Sequence, residues 1–258
     1  MAQELSADEI LVEVVERPRR AFVPIDDLRV IERPGWMQLI TPSFPDGGFN
    51  EVAHAVLAPG EADAVIARTI AEYRRLGIKF RWVVGPGSAP ADLGDRLVRA
   101  GLIRSSAAHG MVRSTAPPLV APDPAITVEP VEPSNVGAYT AVMAEGWGIA
   151  PGPLGRAHDL ALASTDHRLA LARIDGEPAG AAGGVAFPRS LYLMGGVVLP
   201  RFRRRGVYHA LVAARLAAAS ARGIGLVTAR AQVATSAPVL QRLGFRTVCA
   251  FTSYNNFR

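Results

Sequence analysis

The stretch Val197-Val198-Leu199-Pro200-Arg201-Phe202-Arg203-Arg204-Arg205-Gly206-Val207-Tyr208-His209-Ala210-Leu211-Val212 admits few backbone arrangements. Before it, residues 191–199 carry aromatic, aliphatic and glycine residues and no charge, as a covered strand does. After it, Leu211, Val212, Arg215, Leu216 and Ala219 recur at helical spacing on an alanine-rich segment that Gly223 ends. A glycine where a helix begins lets backbone come close to a ligand, and the free first-turn amides and the helix dipole favour an anion there. Arg203, Arg204 and Arg205 add planar donors suited to phosphate oxygens. The stretch therefore predicts a strand, a basic turn and a helix arranged as a pyrophosphate cradle.

Two common nucleotide loops do not fit. A Walker A loop needs lysine followed by serine or threonine, and the only lysine is the distant Lys79. A dinucleotide fingerprint needs three spaced glycines, and Gly206 stands alone after the strand. The net charge of +5 comes almost entirely from arginines spread along the chain, without a basic tract or an aromatic stacking pattern, which argues against nucleic acid as the partner. With 49% hydrophobic and 20% charged residues over 258 positions, the chain has ample core for one large domain or two ordinary ones. No run is apolar enough to span a bilayer, and the polar, acidic first ten residues carry no export signal. Cys249 alone allows neither an internal disulfide nor a cysteine-based zinc site. A cytoplasmic protein without membrane or metal is the expectation.

Taken in order, Ser6 and Glu9 have capping-box spacing and open a helix to about Val15. Strands are expected at 36–41 and 51–57 around a Pro/Gly-rich loop, a helix at 61–76, a strand at 79–84 and a helix at 90–100. Short closing strands at 102–104 and 110–113 precede a proline-rich linker at 115–124. A second domain restarts with a strand at 126–131, a helix opened by Ser134 and running to Glu145, and a helix at 154–163. A hairpin at 168–174 and 178–187 turns at Asp175-Gly176. The strand at 191–199, the cradle and its helix follow, then a strand at 225–230, a short helix at 236–243 and a last strand or pair of strands at 245–257. The expected domains are 1–122 and 123–258, with an α/β (α+β) order.

The segment Val198-Leu199-Pro200, followed by Arg203-x-x-Gly206-x-Tyr208, resembles the acyl-CoA loop of the GNAT superfamily of N-acyltransferases, whose pattern is Arg/Gln-x-x-Gly-x-Gly/Ala after a strand ending Val-x-Pro. Tyr208 departs from it, standing where the family has a small residue and narrowing the space beside the phosphates. The ending Leu240-x-x-Leu243-Gly244-Phe245 resembles the family's second hallmark, a helix stopped by glycine before a strand. The resemblance covers 126–257 and implies a GNAT fold, a central mixed and mostly antiparallel sheet flanked by helices. It assigns acetyl-CoA or another short acyl-CoA as cosubstrate, with the backbone of Val197, Val198 and Leu199 along pantetheine. Arg203, Arg204, Arg205, Gly206, Val207, Tyr208 and His209 would surround the pyrophosphate.

The first domain reads as a worn copy of the second. Leu76-Gly77-Ile78, Ser88-Ala89-Pro90 and Leu97-x-Arg99-x-Gly101-Leu102 parallel Arg222-Gly223-Ile224, Ser236-Ala237-Pro238 and Leu240-x-Arg242-x-Gly244-Phe245. In the first copy Glu61 and Asp63 stand where the second has arginines, and carboxylates repel a pyrophosphate. One CoA per chain, in a tandem arrangement, is the expectation, with the first domain forming a wall of the acceptor pocket or a dimer contact.

The resemblance implies direct attack of an amine on the thioester in a ternary complex, which needs an acid for the leaving sulfur and a route for the amine proton. Many relatives carry a tyrosine acid where this chain has Leu240. The substitutes are Ser236, whose plainer and favoured role is to cap its helix, and Tyr208, whose plainer role is to fill space. Glu145, before the Gly146-Trp147-Gly148 loop, is the candidate base, with a solvated helix-end carboxylate as the plain alternative. Trp147 is a candidate pocket wall or packing anchor. His158, Asp159, Asp166 and His167 lack metal-ligand spacing, and His167 is expected on a loop surface. The function expected is N-acetyl transfer to an amine, on a small molecule, by a monomer or homodimer. The alternative is a CoA-binding regulator without turnover.

Overall fold

The computed structural model describes residues 5–23 and 25–257. In chain order α1 (Ala7–Leu11) is followed by a π-helical turn (Val12–Glu16), β1 (Arg29–Arg33), β2 (Trp36–Ile40) and β3 (Glu51–Ala55). Next come α2 (Ala62–Arg75), β4 (Arg81–Val84), α3 (Leu93–Arg99), β5 (Ile103–Ser114) and β6 (Ile126–Pro130). Then α4 (Val136–Trp147) and α5 (Pro151–Ala163) precede the meander β7 (His167–Ile174), β8 (Glu177–Ala186) and β9 (Ser190–Val198). A 3-10 turn (Pro200–Phe202), α6 (Val207–Ala221), β10 (Leu226–Gln232), α7 (Ser236–Arg242) and β11 (Arg246–Asn255) complete the chain.

Contacts divide the chain into two interleaved units. The first comprises Met1–Pro24, Met111–Arg230 and Val239–Arg246, and the second Ile25–Gly110, Ala231–Pro238 and Thr247–Arg258. The boundary expected after residue 122 falls inside the first unit, and β5 itself crosses the division. The N-terminal helix joins the first unit through specific polar contacts. Ser6 and Glu9 form the expected capping box, with amide-to-side-chain distances of 3.2 and 2.8 Å. Ser190 donates to the buried Glu13, and Arg230 donates to the Val15 carbonyl at 3.1 Å.

In the first unit the strand order is β10-β9-β8-β7-β6, antiparallel except for the parallel pair of β9 and β10. The glycines of β8 let α6 pack closely. A Cβ on Gly180 would sit 2.8 Å from Val207 Cγ1, so no larger residue fits under the first turn of that helix. The second unit orders β1-β2-β3-β4-β11. Its core is aromatic: Trp36 meets Trp82 edge-on at 5.5 Å, and Tyr73 stacks on Phe80 at 4.0 Å. Strand β1 is not among the sequence expectations, because Arg-Val-Ile-Glu-Arg offers three charges and an almost wholly exposed edge. The two closing strands expected at 102–104 and 110–113 are one strand, β5.

His158 is buried on α5, its Nδ1 2.8 Å from Thr140 Oγ1 and its ring edge-on to Tyr139 at 4.8 Å. Burial pulls its pKa down to about 4, so it is neutral in the folded protein at pH 7. His167 is also buried rather than on a loop surface; it opens β7 and bonds Ser164 Oγ at 2.9 Å. Between the folded value near 4 and the ordinary 6.5, the unfolded chain binds the proton and the folded one does not. Stability from His158 is thus complete above that window and is lost as pH falls through it, by up to about 1.4 kcal/mol per pH unit. Thermal melts from pH 7 to 4.5 should show this loss, and His158→Gln should flatten it.

Candidate functional site

The site is organised by an interruption of β9. Its parallel pairing with β10 runs from Ser190↔Leu226 to Leu193↔Ala229 and stops there. Immediately afterwards its register with β8 shifts: Ala181 faces Val197 while Gly183 faces Met194, so β9 carries one extra residue around Gly195 and Gly196. Gly195 has a φ of +55°, a conformation that favours glycine. From Met194 onward β9 keeps β8 on one side and has no paired residue of β10 on the other. That free edge is where an extended ligand can pair with backbone.

Which residues offer that backbone follows from the ladder. The Leu199 amide donates to the Ala179 carbonyl at 3.0 Å, and Phe202 donates to the Leu199 carbonyl at 2.9 Å. The hydrogen-bonded pairs with β8 therefore fall at Leu199 and Val197, and Val198, opposite Gly180, is turned away. The Val198 carbonyl already accepts from Arg203 Nε at 3.2 Å, which leaves its amide. Of the three residues expected along pantetheine, Val198 alone presents an amide to the open side.

Past the strand, the chain makes the 3-10 turn, passes Arg204 at a φ of +64° and enters α6 through Gly206 at +87°. No side chain caps α6, and its first turn carries no acidic residue. The first backbone bond into the helix is from Ala210 to the Gly206 carbonyl at 3.0 Å, so the amides of Val207, Tyr208 and His209 remain available to an anion. Arg203, Arg204 and Arg205 are exposed around them. Arg205 approaches Asp175 at 3.9 Å and lies over the Phe202 ring at 5.7 Å. This is a cradle built from backbone, with exposed positive charge at its rim.

Both faces of the bulge are lined. On one, Trp147 and Met143 of α4 lie against Gly195, at 3.1 and 3.3 Å from a Cβ built there, and Val197 packs so tightly on Gly146 that a Cβ on Gly146 would lie 2.1 Å from Val197 Cγ1. On the other, the Tyr208 ring covers Gly196, with Cε2 at 3.0 Å and Cζ at 4.0 Å from a Cβ built there. Tyr208 is thus brought directly to the bulge. Glu145 points elsewhere: its exposed carboxylate accepts from Arg201 at 2.9 Å, and Arg201 also holds Glu177 at 3.1 Å. Ser236 accepts from the Gln232 amide at 2.9 Å, closing the turn into α7. Leu240, where many relatives have a tyrosine, is buried. Among the described residues no cluster of three or more His, Cys, Asp or Glu is placed to hold a metal ion. No helix among them is long and apolar enough to cross a membrane.

The second unit repeats the order of elements, β1-β2-β3-α2-β4-α3-β5 matching β7-β8-β9-α6-β10-α7-β11. Its version of the open edge is occupied by its own chain. Strands β3 and β4 pair in parallel only at Glu51↔Arg81 and Val52↔Trp82. Beyond them the Ala89 amide donates to Ala55 and the Leu57 amide donates to Ala89, both at 3.0 Å. Helix α2 opens on Glu61 and Asp63, and Asp63 is held by Arg96 at 3.1 Å. Among the described residues, the place that matches the open side of β9 and the start of α6 has neither a free edge nor a basic helix start.

A meander, an open bulged strand and an uncapped helix define the GNAT fold. Residues 136–245 match the family model described as the Acetyltransferase (GNAT) family, and this part of the chain is a GNAT acetyltransferase domain. Solved structures share the fold over nearly the whole length. A functionally unknown conserved protein from Staphylococcus epidermidis superposes with a TM-score of 0.71 at 12% identity, covering 92% of this chain and 96% of that one. A GCN5-related N-acetyltransferase from Kribbella flavida gives 0.67 at 15% identity, covering 98% and 96%. A tandem GNAT protein from the clavulanic acid biosynthesis pathway gives 0.60 at 13% identity, covering 97% and 96%. No curated protein matches the chain.

The contact of Gly146 with Val197 fixes α4 against the bulge. Gly146→Ala should destabilise the protein by about 1–3 kcal/mol in urea unfolding, because helix or strand must move. Combining it with Val197→Ala should recover part of that loss. Simple additivity of the two would show that they do not press on each other.

Proposed function

We propose that this protein transfers an acetyl or other short acyl group from CoA to an amine, one CoA per chain, by direct attack within a ternary complex. The observation that carries the reading is the uncapped, carboxylate-free start of α6, entered through Gly206 from a strand whose far edge is free. Pyrophosphate on the amides of Val207, Tyr208 and His209, with Arg203, Arg204 and Arg205 at the rim, directs the pantetheine arm along β9. The Val198 amide is the pairing group on that edge. The thioester then reaches the bulge, where Tyr208 covers one face and Trp147 the other.

Tyr208 is the acid in this reading. It is the one of the three sequence candidates that touches the bulge, and its hydroxyl has no hydrogen-bond partner among the described residues. Burial pushes its pKa up, which suits a group that must hold its proton until sulfur departs. Glu145, held by Arg201, orders the exposed end of α4 and leaves the amine proton to water. Trp147, 41% exposed beside Gly195, offers a flat apolar wall to a small-molecule acceptor. The second unit is a tandem copy without a cofactor site, because residues 55–57 and 89 pair with each other along its open edge.

Calorimetric titration of acetyl-CoA should give one site per native chain. Gly206→Asp should weaken it at least about tenfold, since aspartate at a φ of +87° strains the turn and sets a carboxylate against phosphate. Two sites would overturn the single-cradle reading, and no site would overturn CoA binding altogether. Release of CoA thiol in the presence of a panel of primary amines then separates transfer from the alternative of a CoA-binding regulator, which would bind and not turn over.

A further inference from the structure

Helix α6 carries a charge where its pattern calls for an apolar side chain. Arg215 lies on the inward stripe with Leu211, Val212, Leu216 and Ala219, and only 4% of it is exposed. Among the described residues no carboxylate pairs with it. A buried guanidinium without a counter-charge is costly, and such a group persists where hydrogen bonds and function retain it. Two carbonyls hold it: Nε donates to Leu211 at 2.9 Å and Nη1 donates to Gly183 at 2.8 Å.

Each of these bonds places the charge. The first folds the side chain back toward the start of α6, the direction in which helical side chains lean, and so toward Tyr208, two turns earlier on the same face. The second fastens it to Gly183, the β8 residue at the edge of the bulge, where the shifted register disturbs the ladder. Tyr208 meets the same bulge through Gly196. Tyr208 of α6 and Tyr139 of α4 are the titratable groups that interact with the guanidinium, and β8 meets it through the Gly183 carbonyl. Burial raises both tyrosine hydroxyls and the Arg215 charge draws both back down; the guanidinium itself stays protonated.

Resting on the acyl-transfer reading above, we propose that Arg215 is a positioning residue for the acid: it pins the carbonyl beside the bulge and keeps a fixed positive charge near Tyr208, so that Tyr208 can give its proton to the departing sulfur and remain as a compensated phenolate. The amine nitrogen bonds to the thioester carbon, the carbon–sulfur bond breaks with its electron pair on sulfur, and sulfur takes the Tyr208 proton. The surplus amine proton leaves to water, and the phenolate recovers a proton from water. The products are an amide and free CoA thiol.

The test compares the native protein with Arg215→Met, Arg215→Lys, Tyr208→Phe and, as the other hydroxyl near the charge, Tyr139→Phe. Phenolate absorbance read as native minus Tyr208→Phe isolates Tyr208. The same difference on the Arg215→Met background should have its midpoint about one pH unit higher, because the charge that favoured phenolate is gone, and Arg215→Lys should stay near native. With acetyl-CoA and the panel amine turned over fastest, Tyr208→Phe should lose about a hundredfold in kcat with the acetyl-CoA KM little changed. The alkaline limb of kcat should move up with Arg215→Met and stay put with Tyr139→Phe.

A Tyr208→Phe protein that keeps its kcat overturns the proposal, as does an unmoved Tyr208 midpoint in Arg215→Met or an alkaline limb that follows Tyr139. If Arg215→Met does not fold, the Arg215→Lys midpoint and the Tyr208→Phe rate still decide: a lysine midpoint displaced upward as far as loss of the charge requires, or a retained rate, overturns it. Native protein that acetylates no amine, while the Tyr208 midpoint still depends on Arg215, overturns acyl transfer and the acid role with it and leaves only the charge coupling.

Discussion

Strand β9 parts from β10 after Leu193, and the bulge at Gly195 and Gly196 turns its backbone at that point. Most of the first unit is arranged around that interruption. A parallel strand with a free edge inside a sheet is unfavourable unless something else pairs with it or shields it. Here β8 holds the other side with a continuous register on both flanks of the bulge, and two helices press on it from above and below. Helix α4 reaches the bulge through Gly146 and Trp147, and α6 through Tyr208. Small residues on the sheet allow both approaches. Gly180 admits Val207 and Gly196 admits the Tyr208 ring, so the glycines set how close the helices can come.

The two units show how one order of elements can leave a strand edge open or fill it. In the second unit, the chain after β4 turns back and donates and accepts across residues 55–57 through Ala89. The backbone groups that an extended ligand would use are satisfied internally. Helix α2, which follows β3, starts with carboxylates, one of them in an ion pair with Arg96. In the first unit the corresponding groups are left open, and the helix start is basic and uncapped. The difference lies in a few backbone hydrogen bonds and the sign of three or four side chains rather than in topology.

Much of this was legible in the sequence because it depends on local chemistry. The uncharged run before Pro200, the glycine at the turn and the apolar period after it specify strand, turn and helix without reference to the rest of the chain. The capping box at Ser6 and Glu9 and the hairpin at Asp175-Gly176 are local in the same sense. Other features left a trace that local rules could not interpret. Adjacent glycines at 195 and 196 mark the bulge, and an arginine within the apolar stripe of α6 marks Arg215, yet only packing shows that both address the same place. Glu145 reads as a base from its position before a glycine loop. Its partner, Arg201, lies 56 residues away, and nothing local discloses the ion pair. Strand β1 was missed because its two charged ends and exposed edge offer no alternation.

The sequence by itself determined the elements, the cradle and its charge, since turn chemistry, helix starts and hydrophobic period act over a few residues. Tertiary structure alone decided which backbone amide faces the open edge, which of the three candidate side chains, Glu145, Ser236 or Tyr208, meets the bulge, and that the compact units interleave along the chain. These depend on strand register and on contacts between residues distant in sequence. A shift of one residue in register would reverse Val198 and its neighbours. No local pattern encodes that choice; it is set by everything that packs against β9 at once.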